Sequence, residues 1–163
     1  MVRRAAMAPD ATANEVALPA WTSPSDGVQV LDVGFVVLTV IQRAKEEYIV
    51  QSSHGAPDGV YPTEESACKY AQRFLCAIME RTLAGLSDLE MSPNAARWRS
   101  RQGELYLTCG VLVVRVPLPD LPEPEAGDVK AQASNLAALE QAKRQAILDG
   151  RTQLRALVAQ FGT

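Results

Sequence analysis

The sequence has few of the residues on which disulfide and metal chemistry depends. Its 163 residues include one histidine, His54, and three cysteines. Cys68 and Cys76 lie in one predicted helix about 12 Å apart at 1.5 Å per residue, whereas a disulfide needs Cα atoms within roughly 7 Å. No C-x-x-C pair occurs, and a multi-histidine site is excluded. We therefore expect free thiols, no metal and no cofactor.

Sequence patterns of common enzymes are also missing. There is no glycine-rich phosphate loop, no Walker pattern and no G-x-S-x-G nucleophile. A cysteine–histidine pair would need Cys68 or Cys109 beside His54. Cys68, however, lies beyond the first turn of its predicted helix, where the helix dipole lowers a thiol pKa little. We expect a protein that is not an enzyme and has no catalytic residue.

Long apolar runs and excess charge are absent as well. No stretch reaches the ~18 apolar residues of a membrane-spanning helix. Arg3 and Arg4 are not followed by a signal-peptide core, because Pro9 and Asp10 interrupt it. The net charge of -3 gives no electrostatic reason to expect nucleic acid. We predict a cytoplasmic protein with no signal peptide or transmembrane segment, which meets a membrane only peripherally or through a partner.

An amphipathic helix over residues 63–86 is the clearest pattern present. Thr63, behind Pro62, is a good N-cap, and Glu64 and Glu65 suit the positive end of the helix dipole. The apolar residues repeat at helical spacing and would cover one face of a sheet. They are Ala67, Tyr70, Ala71, Phe74, Leu75, Ile78, Met79, Leu83 and Leu86.

Three further segments read as strands. Residues 28–41 are rich in β-branched residues and apolar on both faces, which predicts a central strand with an irregularity at Gly34. A short strand is predicted at 48–50 and another at 111–116, the latter ended by Pro117 and the prolines after it. Residues 1–22 lack periodicity and are predicted to be a disordered lead-in.

A second helix is predicted to begin at Pro93, with Ser92 as its N-cap, and to continue towards Leu105. It would carry Arg97, Arg99 and Arg101 around Trp98. This could be a small nucleic-acid patch, but alternate residues on a helix point in different directions. We therefore interpret the arginines as a solvated helix face.

The last segment, 127–161, is predicted to be one long helix of up to ~50 Å at 1.5 Å per residue. It is rich in good helix formers and contains no proline. A heptad frame suggests a weak coiled coil, because Glu140, Lys143 and Gly150 share its core positions. The apolar core positions from Leu136 onward form a candidate self-association face: Leu136, Ile147, Leu154, Leu157 and Phe161.

Together these elements predict an α+β fold, in which a small mixed sheet is covered by amphipathic helices and followed by the long C-terminal helix. The order of parts also resembles the second half of the SPFH or band 7 domain of stomatins, prohibitins and flotillins. The resemblance lies in "SPSDGVQVLDVGFVVLTVI" at 23–41, "GVLVVRVPLPDL" at 110–121 and "LEQAKRQAILDG" at 139–150. The helix adds family positions at Ala71, Gln72, Leu75, Ile78, Thr82 and Leu83.

The resemblance implies a partial SPFH-like domain at 23–121. Cys76, Glu80 and Pro93 depart from the family pattern, since Pro93 interrupts a helix that is usually unbroken and charged, and the first half of the domain has no counterpart here. Such proteins form homo-oligomeric scaffolds that organise or regulate membrane-associated complexes such as proteases, so a membrane protein or protease is the implied partner. The alternative is a small soluble adaptor or regulator of unrelated α+β fold that binds a partner protein through its C-terminal helix.

Overall fold

A computed structural model describes residues 18–55 and 59–162 of the chain. Residues 1–17 of the predicted lead-in lie outside this part, and Thr22 begins the first strand. In the described part, two antiparallel sheets are joined by one helix and followed by another. In chain order the elements are β1 (Thr22–Ser25), β2 (Val28–Asp32), β3 (Val37–Ala44), β4 (Glu47–Ser52), α1 (Glu64–Met91), β5 (Arg99–Arg101), β6 (Glu104–Cys109), β7 (Leu112–Pro117) and α2 (Val129–Phe161).

The first sheet is a meander of neighbouring antiparallel strands in the order β1-β2-β3-β4. The single strand predicted at 28–41 is therefore wrong, because it folds back on itself as the β2–β3 hairpin. Gly34 makes the bend at φ 91°, a conformation that glycine adopts without steric cost. Its N–H donates to the Asp32 carboxylate at 2.7 Å. The irregularity predicted at Gly34 is thus a full reversal of the chain, which the sequence pattern does not mark because Val33 and Val36 in the bend are apolar and buried.

Helix α1 covers the first sheet, as its apolar pattern predicted. Thr63 is the N-cap, and its hydroxyl accepts the N–H of Ser66 at 3.1 Å. The fully buried side chains on its inner face include Ala71, Leu75 and Met79. They pack into the same core as the side chains of the first sheet, in a layer that removes apolar surface from water.

The helix predicted from Pro93 towards Leu105 is wrong. After α1 ends at Met91, with Ser92 as its C-cap, a short turn leads into strand β5, which pairs antiparallel with β6. Gln102 and Gly103 connect the two strands, both with positive φ, as a two-residue hairpin turn of this hand requires. Strand β7 completes a second sheet in the order β5-β6-β7. The predicted strand at 111–116 corresponds to β7.

Helix α2 confirms the predicted long C-terminal helix. Asp128 is its N-cap, and its carboxylate accepts the N–H of Ala131 at 3.0 Å. Its C-terminal half packs on α1 and β7 through Ile147, Leu154 and Leu157. The α+β class is thus confirmed, with the strands divided between two antiparallel sheets. In the described residues neither helix has a stretch long and apolar enough to cross a membrane.

Candidate functional site

The predicted self-association residues on α2 fall in two different environments. Ile147 and Leu154 are fully buried within the chain's own core, and Leu157 is 6% exposed. Phe161 is partly buried against the same core. Leu136 is 68% exposed, so it is the member of this set whose side chain is open to another molecule.

Leu136 belongs to a part of α2 that the rest of the chain leaves uncovered. None of the side chains at residues 129–139 is buried, and we call this segment the free end of α2. Val129 at its start is 73% exposed. Within the free end, the Asn135 side chain donates a hydrogen bond at 3.1 Å to the carbonyl of Pro122, which lies in the segment that leads into the helix.

Contacts with the rest of the fold begin immediately after the free end. The Lys143 ammonium donates to the Asn94 side chain at 3.0 Å and lies 5.6 Å from the centre of the Trp98 ring. Trp98 in turn donates its indole N–H to the carbonyl of Pro93 at 2.7 Å. This cluster fixes α2 against the turn before β5. Farther along, Arg151 pairs with Glu90 of α1 and ties the two helices together.

The second sheet presents its outer face to solvent. Which side chains lie on that face depends on residues 99–101 forming strand β5. Residues two apart on a strand share a face, and residues directly opposite in neighbouring strands share it too. Arg99 pairs with Tyr106 and Tyr106 pairs with Arg115, so an aromatic ring lies between two arginines. We call this surface the basic face: Arg97, Arg99, Arg101, Glu104, Tyr106, Thr108, Val113 and Arg115.

Two shallow cavities occupy the basic face and share Tyr106 and Thr108. The first has a volume of about 300 Å³ and is bordered by Arg101 and Arg115. The second has a volume of about 500 Å³ and is bordered by Arg97 and Arg99. Tyr106 and Thr108 therefore border two hollows, each of which has arginines on its rim.

The charges on the basic face are largely unneutralised. Glu104 is the one acidic residue that lines either cavity, and its carboxylate lies 3.6 Å from Arg115. Arg97, Arg99 and Arg101 form no ion pair with any other described residue. The surface is thus strongly positive in a chain whose net charge is -3.

The three thiols are poorly suited to nucleophilic chemistry. Burial raises the pKa of Cys68 to about 11, and the nearby Glu64 carboxylate adds to that effect. Burial also raises the pKa of Cys76 and of Cys109. A thiol must ionise to attack, so each of these environments disfavours the reactive form.

His54 has a hydroxyl neighbour in Ser53, whose oxygen lies 3.0 Å from the imidazole Nδ1. The same oxygen accepts the backbone N–H of Val37 at 3.0 Å, so the Ser53 side chain joins the end of β4 to the start of β3. No three metal-ligating side chains converge anywhere in residues 18–55 and 59–162. Two uncovered surfaces of the described residues are the free end of α2 and the basic face.

Sequence reasoning placed Leu136 among its candidates but set the arginines aside and did not single out Tyr106. A hairpin signal at Gln102 and Gly103 could have revealed the arginine row, because it turns residues 99–101 into a strand. A scan against protein-family models, a search of curated proteins and a search of solved structures each find no match to this chain.

Proposed function

We propose that this protein is a non-enzymatic scaffold that self-associates through the free end of α2. The motif resemblance suggests the SPFH or band 7 type, which would organise or regulate membrane-associated complexes such as proteases. The exposed leucine at position 136, on an otherwise uncovered stretch of helix, is the observation that carries the proposal.

The length of α2 supports a role for its free end. The helix has 33 residues, but its buried side chains all lie between Ile147 and Leu157. Isolated helical segments shorter than ~12–15 residues are marginal in water, and most helical stability in proteins comes from packing. A second helix packed against residues 129–139 would supply that packing, and the alanines there would allow a close approach.

An open sheet edge gives a second surface for assembly. Strand β7 pairs with β6 on one side, and no other described strand pairs with its far edge. Beside that edge a groove of about 230 Å³ runs along α2 past Gly150. Unpaired strand edges favour association with another chain. The free end and this edge together fit a protein that works by assembling with others.

The second candidate is a soluble adaptor of unrelated α+β fold whose C-terminal helix docks in the groove of a different protein. The β5–β6 hairpin favours this candidate, because the resemblance implies an unbroken charged helix where the hairpin lies. The two proposals use the same helix segment and differ in its partner, which is another copy in the first and a different protein in the second.

Size-exclusion chromatography with light scattering tests the scaffold proposal. We expect the chain to form oligomers whose mass rises with concentration, and Leu136→Glu to shift them to monomers because a charge would be buried at the contact. Ser134→Glu is the matched control, since it adds the same charge on the opposite side of an exposed helix segment. Circular dichroism checks that both variants remain folded.

A chain that stays monomeric at every concentration would rule out the scaffold. An oligomer that Leu136→Glu leaves intact would show that assembly uses another surface, such as the β7 edge. The adaptor is supported instead if the monomeric chain captures one defined protein partner and Leu136→Glu, but not Ser134→Glu, abolishes that capture.

A further inference from the structure

The basic face carries a second inference that does not depend on the scaffold proposal. It exists because residues 99–101 form a strand. On a helix, Arg99 and Arg101 would point in different directions, whereas on β5 they share one side. The argument from the directions of alternate arginines on a helix therefore does not apply to the folded chain, and the net charge of -3 does not prevent a local concentration of positive charge.

The arrangement around Tyr106 is that of a flat ring with a positive charge on either side. Neighbouring strands lie about 4.8 Å apart, so Arg99 and Arg115 flank the ring within a single row across the sheet. Arg101 lies two residues further along β5 and therefore on the same face. The Tyr106 side chain is half-buried, so part of it remains open to solvent.

We propose that the basic face binds single-stranded nucleic acid. Tyr106 stacks on a base, since every base has a π-face, and stacking of this kind tolerates different sequences. Arg99 and Arg115 contact the phosphates on either side of that base, because the planar guanidinium matches phosphate oxygens in a bidentate way. The two cavities beside Tyr106 accommodate the neighbouring nucleotides.

The chemistry favours this ligand over other anions. An acidic peptide would satisfy the arginines but would offer no flat group to cover Tyr106. A duplex keeps its bases stacked inside, so it offers no free base face to cover Tyr106. A single strand presents phosphates and unstacked bases together, which is the combination that this row of side chains can contact.

Fluorescence anisotropy with a labelled oligo-dT tests the proposal on the full chain. We expect binding at low salt, with log K falling against log salt at a slope of about -3, since single strands give roughly -0.7 per phosphate contacted and four arginines are present. Arg99→Ala and Arg115→Ala should each reduce the magnitude of the slope by about 0.7. Arg155→Ala, an exposed arginine on α2, is the control and should change neither slope nor affinity.

The aromatic residue gives the second arm of the test. Tyr106→Ala should weaken binding about 5- to 150-fold, the range expected for loss of one stacked base. Tyr106→Phe keeps the ring and should bind like the parent chain. Glu104→Gln removes the one carboxylate of the surface and should tighten binding. Thermal melts establish that each variant is folded before its affinity is compared.

Three results would overturn the proposal. The first is no binding of oligo-dT at low salt by the folded chain. The second is equal affinity for a poly-glutamate peptide or for vesicles of anionic lipid, which would make the surface a general or membrane-directed anion site. The third is binding that Arg99→Ala and Tyr106→Ala leave unchanged, which would place the nucleic acid elsewhere on the molecule.

Discussion

The hydroxyl of Thr82 accepts the backbone N–H of Val111 at 3.2 Å and donates its own proton to the carbonyl of Ile78 at 2.9 Å. Thr82 is a buried polar residue of α1, and Val111 lies in the turn between β6 and β7. A single side chain therefore joins the first helix to the second sheet, and it satisfies a backbone donor that would otherwise be buried without a partner.

Replacing this hydroxyl should destabilise the fold with little change in shape. Thr82→Val keeps the volume but leaves the N–H of Val111 unpaired, which costs about 1–3 kcal/mol. Chemical denaturation measures the loss. Thr152→Val is the control, because its hydroxyl bonds to Leu148 on an exposed face of α2 and should change the free energy of unfolding little. Equal effects of the two substitutions would contradict a structural role for the Thr82 contact.

The close approach at Thr82 also restricts residue 110 to glycine. Gly110 has φ 56°, and a Cβ there would lie 2.1 Å from the Thr82 hydroxyl oxygen. Gly110→Ala combines backbone strain with overpacking, so it should cost about 2–4 kcal/mol. Gly103→Ala is the matched control: φ is 77° but nothing lies within 4 Å, so it should cost about 1 kcal/mol. Denaturant midpoints for the two variants check the difference.

The Glu90–Arg151 pair joins α2 to α1 and should contribute to the free energy of unfolding. The Arg151 side chain is 15% exposed, and its Nε is buried with no hydrogen-bond partner among the described residues. Glu90→Ala removes the neutralising carboxylate, and we expect a loss of about 1–3 kcal/mol, below that of a fully buried pair. Glu90→Leu, Arg151→Met and the double variant form a double-mutant cycle. The double variant should lose less free energy of unfolding than the sum of these two single variants.

An exposed ion pair provides the comparison. Lys69→Ala breaks the bond to Glu65 at the solvent surface of α1, where ion pairs contribute little, and it keeps the Glu65 carboxylate at the N-terminal end of the helix. This variant should leave the free energy of unfolding unchanged within error. If Glu90→Ala behaves in the same way, the contact between the two helices depends on apolar packing alone.

The raised pKa of Cys68 predicts that the free energy of unfolding falls in alkaline solution. Its folded pKa of about 11 exceeds the value near 8.5 expected in the unfolded chain. Between those values the unfolded chain releases the proton and the folded chain keeps it, so this stabilisation is complete below pH ~8.5 and declines as pH rises towards 11. Unfolding measured from pH 8 to 10.5 should show a shallower decline for Cys68→Ala than for the parent chain. Parallel curves would contradict the prediction.

The two helices could be predicted from the sequence because α1 carries a long apolar period and a recognisable N-cap, and α2 is a long run of good helix formers. Thr63 and the stripe through Ala71 and Leu75 identified α1, and the proline-free composition identified α2. Strand β5 could not be predicted in this way. All three of its residues are exposed, so no alternation of buried and exposed side chains marks it, while Ser92 and Pro93 imitate a helix start.

The two candidate surfaces also differ in how far they could be predicted from the sequence. Leu136 could be proposed from heptad spacing, but spacing could not reveal that Ile147 and Leu154 are used inside the chain's own core. The basic face required the correct element, since Arg99 meets Tyr106 only through strand pairing. An error in one short strand was therefore enough to hide a whole surface.

The Gln160 side chain donates to the carbonyl of Pro19 at 2.8 Å, across 141 residues of sequence. The C-terminal end of α2 therefore contacts the segment before β1, which lies at the other end of the described chain. The entropy lost on closing a loop rises with the logarithm of its length, and sequence-distant contacts slow folding. The first sheet and α1 supply local hairpins and a helix that can form early, so we expect the C-terminal end of α2 to pack against the Pro19 segment late in folding.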